Sequence, residues 1–229
     1  MTIEWPRALM PPAGINVTPM NRRVVGPTSL DSTMQVIASP GGHWQIEYQS
    51  IPMFSPDQIR TWRAISSKAN RGVPVIVPLY DQDQQPYAGV YAPGSIVPHS
   101  DGTYFTDGAG YITEAITAEA TTGAALRATS LEIQIAAGGN LMGGEYFSIW
   151  HGDRWRKRLY LIEEVAASGA GAYEISFSPP LREAIASGIG LDFANPSCTC
   201  WLAQDQGMGD ERASEIMTRR NVTFVEAFP

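Results

Sequence analysis

Hydrophobic and polar residues alternate with a period of two along much of this chain, the pattern of strands that bury one face. Ile15 to Val25 is β-branched and alternating, and Gly26-Pro27 breaks it. Met34 to Ala38 predicts a second strand, Ser39-Pro40-Gly41-Gly42 a turn, and His43 to Ile51 a third strand with Trp44, Ile46 and Tyr48 on one face. The period then changes. Ser55 is a good N-cap, Pro56 suits the first helical position, and Gln58 completes a capping box with Ser55. Ile59, Trp62, Ile65 or Ser66, and Ala69 fall on one stripe at helical spacing, and Gly72 is the natural stop. Val73 to Leu79 is a near-continuous apolar strand whose Pro74 and Pro78 place it at an edge or a strand end.

The middle, residues 81–129, is rich in Gly, Thr, Asp, Tyr and Ala. Its strand signals are weak (Gly89 to Tyr91, Tyr104 to Phe105, Tyr111 to Thr113), and it reads as an extended, turn-rich insertion. Beyond it the alternation is clean. Leu131, Ile133 and Ile135 alternate with Glu132 and Gln134, and Tyr146 to Trp150 follows the Gly143-Gly144 turn. Leu159 to Val165 is mostly apolar, and Tyr173, Ile175 and Phe177 alternate with polar neighbours. Pro179-Pro180 ends that run, Leu181 to Ser187 predicts a short helix stopped by Gly188, and Thr199 to Gln204 a further strand. Short strands at this spacing, with few helices, predict a small barrel or sandwich. A polar stretch from Gln206 to Arg220 precedes a last strand, Asn221 to Phe228, which must pair with something and is expected to return to the first block. The predicted organisation is a discontinuous first domain of residues 1–80 plus about 210–229, the insertion at 81–129, and a second β-rich domain at 130–209.

Composition narrows the function. The chain has 229 residues, 44% of them hydrophobic and 10% aromatic, enough to bury a real core. Only 17% are charged, against about a quarter in typical domains. That suits a surface committed to partners, and equally a Thr-, Ser- and Gln-rich β protein. The net charge is −7 and the 16 basic residues are scattered apart from Arg154, Arg156, Lys157 and Arg158, so specific nucleic-acid binding is not expected. No apolar run reaches the ~20 residues a membrane helix needs, and Met1 to Pro12 lacks the layout of a signal peptide. No membrane partner is expected, and synthesis is expected in the cytoplasm.

Candidate chemistry is sparse. His43, His99 and His151 are isolated, and each reads as a surface or strand-end residue. No nucleophile elbow, H-E-x-x-H, P-loop or dinucleotide fingerprint occurs. Cys198-Thr199-Cys200 has neither the C-x₂-C spacing nor the second pair of a closed metal site, and two small buried hydrophobes beside Trp201 is the better account. Glu163 and Glu164 are strand neighbours facing opposite sides. Asp81 and Asp83 lack the Gly and downstream Glu of an EF-hand loop. Trp44, Trp62, Trp150 and Trp201 sit at positions the strand and helix map would bury, which weighs against a carbohydrate-binding face. The reading is a non-enzyme with no catalytic, cofactor-binding or metal-binding residue and no cofactor.

The run from His43 to Pro74, with its Trp-bearing strand, helix and return strand, resembles the opening domain of distal tail and tail-tip proteins of tailed bacteriophages. Tyr160 to Leu191, with its "PPLR", and the closing Asn221 to Pro229 are similar to tail-protein segments as well. The resemblance implies a mainly β chain. It would have a tail-tube-like sandwich or barrel domain with one flanking helix, and a second small barrel-like domain. It also implies a virion structural protein at the tail tip, forming a homo-oligomeric ring, hexameric by analogy, between the tail tube protein and the hub or baseplate. The free chain is expected to be a monomer that assembles only on hub or tube. The alternative from another class is a virion-borne receptor- or carbohydrate-binding module.

Overall fold

The structure, a computed structural model, describes residues 2–20, 23–28, 34–38, 42–79, 96–97, 103, 106, 111–112, 116–137, 141–152, 157–169, 171–204, 208–209 and 218–228. In chain order the elements are β1 (Ile3–Glu4), β2 (Gly14–Met20), β3 (Arg23–Thr28), β4 (Met34–Ala38), β5 (His43–Met53), helix α1 (Pro56–Ala69), β6 (Val75–Pro78), β7 (Ile96–Val97), β8 (Tyr111–Ile112), β9 (Thr117–Ala120), β10 (Ser130–Ala137), β11 (Tyr146–Trp150), β12 (Lys157–Ala167), β13 (Ala172–Ser178), β14 (Gly190–Asp192), β15 (Ser197–Leu202) and β16 (Thr218–Glu226). The chain is mainly β, as the alternation predicts, with one helix among the described residues. It falls into two compact units. One comprises Met1–Tyr80, Gly152–Lys157 and Ser197–Pro229, the other Asp81–His151 and Arg158–Pro196.

The first unit is built on an open six-stranded sheet in the order β1-β6-β15-β16-β5-β2. Only the β1–β6 pair is parallel; β15, β16, β5 and β2 join antiparallel. Trp44, Ile46 and Tyr48 of β5 are buried at alternate positions. At Ser50 the phase resets: its φ is +52°, its N–H donates to Asn221 Oδ1 at 2.8 Å, and the β5–β16 register shifts there. The extra residue turns the next two apolar side chains inward, so Ile51 and Met53 are buried too. Trp5 sits among Tyr48, Trp62 and Phe224, edge-on to each with centroids 5.3–6.2 Å apart, and its indole N–H donates to the Met10 carbonyl at 3.1 Å.

Helix α1 forms where local chemistry demands it. The Gln58 N–H donates to Ser55 Oγ at 3.2 Å, and Gln58 Oε1 accepts from the Ser55 N–H at 3.0 Å. Trp62, Ile65 and Ala69 are its buried stripe. At the other end the Val73 N–H reaches back to the Lys68 carbonyl and the Gly72 N–H to the Ala69 carbonyl, with Gly72 at φ +80°. Those bonds form a Schellman closure, whose left-handed residue is best a glycine.

The second unit contains a closed six-stranded barrel, β10-β13-β12-β11-β14-β9, sealed by the β9–β10 pair. Ile116, Ala118, Leu131, Ile133, Phe147, Ile149, Tyr160, Ile162, Ile175 and Phe177 are among the side chains that fill its core. Phe147 and Tyr160 stack at 5.4 Å, and Phe177 lies edge-on to both. Strands β7 and β8 form a separate two-stranded pair.

Several sequence expectations change. Leu181 to Ser187 is not a helix: its amides bond sideways, Leu181 N–H to the Ala128 carbonyl and Ile185 N–H to the Ala124 carbonyl, with an isolated bridge between Ala124 and Ile185. Leu181 and Ile185 both enter the barrel core, and their spacing of four imitates a helical stripe. Residues 116–129, expected in an extended insertion, include barrel strand β9, where Ala118 and Ala120 face the core. Gly89 to Tyr91, Tyr104 and Phe105 lie outside the described residues. The strand expected at 199–204 within the second domain is β15, which begins at Ser197 and lies between β6 and β16 in the first unit. Gly26-Pro27 does not end a strand but sits inside β3, at a register shift against β4.

Candidate assembly surface

Strand β2 is the last member of the open sheet, and among the described residues it pairs with β5 alone. Gly14 to Met20 keep one unbroken register against β5, so alternate residues aim backbone N–H and C=O groups away from the sheet. Such rows of unmet donors and acceptors bind further strands unless they are blunted by charge, brevity, bulges or proline. Strand β2 carries no charged residue, and of those devices it has only Pro19. The opposite edge is blunted twice: β1 is two residues long and includes the exposed Glu4.

The ribbon made by β3 and β4 adjoins this edge in the chain. Strand β2 ends at Met20 and β3 begins at Arg23, while β4 ends at Ala38 and β5 begins at His43. Among the described residues β3 and β4 pair only with each other, with Val24 opposite Ile37 and Val25 opposite Val36. No third strand joins this ribbon among the described residues. A lone two-stranded hairpin is marginal in water and gains stability by docking.

The residues weighed for chemistry are scattered. Cys198 and Cys200 are fully buried free thiols, opposite Val77 and Val75 of β6. His43 is half-buried at the start of β5. His151 departs from the surface reading. It is buried after β11, its Nε2 lies 2.9 Å from the Tyr160 hydroxyl, and that hydroxyl accepts the Arg182 N–H at 3.2 Å. The Arg182 N–H takes the hydroxyl as its acceptor, which leaves the phenol's own proton free to point at the imidazole Nε2. Glu163 and Glu164 are both exposed, beside a register shift between Ile162 and Glu164. His99, Asp81 and Asp83 lie outside the described residues. Among the described residues no three His, Cys, Asp or Glu side chains gather as a metal site requires.

The tryptophans divide. Trp44 and Trp62 are buried and Trp201 is half-buried, but Trp150 is 45% exposed. Phe147 and Ile149 take the inward phase of β11, which leaves Trp150 on the outward one. The assembly surface was not assigned from sequence; the signal available was the absence of charge along β2. No protein-family model and no curated protein sequence matches the chain.

Proposed function

We propose that this chain is a structural subunit of a bacteriophage tail tip, assembling with copies of itself into a ring, hexameric by analogy, between the tail tube and the hub or baseplate. The observation that supports it best is the uncharged edge of β2, which among the described residues pairs with β5 alone and is followed in the chain by a ribbon paired only with itself. Edge-to-neighbour pairing around a closed ring would leave no free edge, the economy that symmetric assemblies exploit. Its function is then geometric and needs no catalytic residue. The resemblance of His43 to Pro74 and of Tyr160 to Leu191 to tail proteins supplies the placement in a virion.

The test is imaging of the purified chain, alone and on tail particles, beside a variant in which residues 23–38 are replaced by a short turn. Rings or tail-tip density for the parent and none for the folded variant are the expected result. A parent that stays monomeric and decorates no particle overturns the reading.

A further inference from the structure

We propose that the first unit carries a binding groove for a neutral sugar ring where the end of helix α1 meets the end of β15. The groove has a volume of about 400 Å³, and Ala69, Asn70, Gly72, Trp201, Leu202, Ala203 and Gln204 line it. That volume lies in the lower part of the ~300–1,000 Å³ range of small-molecule sites.

The lining selects the ligand. Among the described residues the lining has no ionisable side chain, so none of them matches an ion by charge. A helix C-terminus attracts cations through its open carbonyls, but this one is closed. Ser66 O accepts the Asn70 N–H, Ser67 O accepts Arg71 Nε–H, Lys68 O accepts the Arg71 and Val73 N–H groups, and Ala69 O accepts the Gly72 N–H. Apolar surface comes from Trp201, Leu202 and Ala203. Polar capacity comes from two side-chain amides: Asn70 donates from Nδ2 to Ser66 Oγ at 3.2 Å, and among the described residues no hydrogen bond engages its Oδ1 or the amide of Gln204. Each amide offers an acceptor and a donor, the pairing that vicinal hydroxyls require. A pyranose combines an apolar C–H face with a ring of hydroxyls, and its neutrality suits an uncharged lining on a protein of net charge −7.

This inference stands apart from the ring proposal, since it uses neither β2 nor the ribbon. The experiment screens the full-length protein on a glycan array. Array hits and a panel of neutral hexose oligosaccharides are then titrated with saturation-transfer NMR and tryptophan fluorescence. Asn70→Ala/Gln204→Ala is the working variant, because both residues are exposed and outside the core. Neutral glycans are expected to bind the parent, with affinity falling about tenfold or more in the double variant, the order expected for lost hydrogen bonds. Trp201→Ala should lower binding and the fluorescence response together, while the thermal midpoint of the double variant stays at the parent value. Absence of neutral-glycan binding, preference for acidic glycans, or unchanged affinity in the double variant each overturns the proposal.

Discussion

The two units solve the same problem, how to terminate a β-sheet, in opposite ways. The barrel joins β9 to β10 and has no end strand, whereas among the described residues the open sheet stops at β2, which pairs on one side only. Closure uses every strand internally and leaves side chains as the outward chemistry, such as Trp150 and the 87% exposed Met142. An open sheet keeps backbone hydrogen-bonding capacity in reserve. Where one chain contains both, the open one is the place to look for polymer-forming contacts.

Four variants test that contrast. The largest effect is expected from Phe177→Ala, which empties part of the Phe147–Tyr160–Phe177 cluster and should cost about 3–5 kcal/mol in denaturant unfolding. Its loss of protection in hydrogen exchange should concentrate on β10 to β13; equal loss along β5 and β16 would break the two-core description. Tyr160→Phe follows. It removes the acceptor for the Arg182 N–H and the partner of His151, costing about 1–3 kcal/mol by the same unfolding assay. Ser55→Ala acts in the other unit by opening the capping box, and about 1 kcal/mol is the expected loss, visible as a lower thermal midpoint. Smallest in stability is the pair Asn16→Lys and Thr18→Lys on β2, within about 0.5 kcal/mol of the parent. Imaging of tail particles incubated with the variant should nevertheless show ring association at the tail tip lost, because edge lysines repel a pairing strand. Unchanged association would remove β2 from the assembly surface.

What could be read from sequence was what is local. The Ser55-Pro56-Gln58 start of α1 and the Trp44-Ile46-Tyr48 alternation state their chemistry within a few residues, and both are present. Ala118 and Ala120 face a core with side chains too small to register as a hydrophobic stripe, so β9 passed for a loop. Leu181 and Ile185 failed the other way: a true apolar spacing arose from crossing the barrel end and not from a helical turn. The placement of β15 was invisible because its partners, Val75 to Pro78 and Phe224 to Glu226, lie on both sides of it along the chain. The same holds for the groove, whose Asn70 and Gln204 are far apart in sequence. The bare edge was half legible, since its lack of charge is written in Gly14 to Met20 but its terminal position is not.

The strand order β1-β6-β15-β16-β5-β2 sets a timetable for synthesis. The early strands β6 and β5 are not neighbours in the sheet, although the Tyr48 hydroxyl of β5 donates to the Pro78 carbonyl of β6; the later strands, β15 and β16, join them as one sheet. As the chain leaves the ribosome at about 5–20 residues per second, the β1–β6 and β2–β5 pairs can form but cannot be joined. The barrel, whose strands all lie between β6 and β15, is free to close first. The sheet is completed only when β16 slides in beside β5, so its finished surface waits until every strand of the barrel has been made.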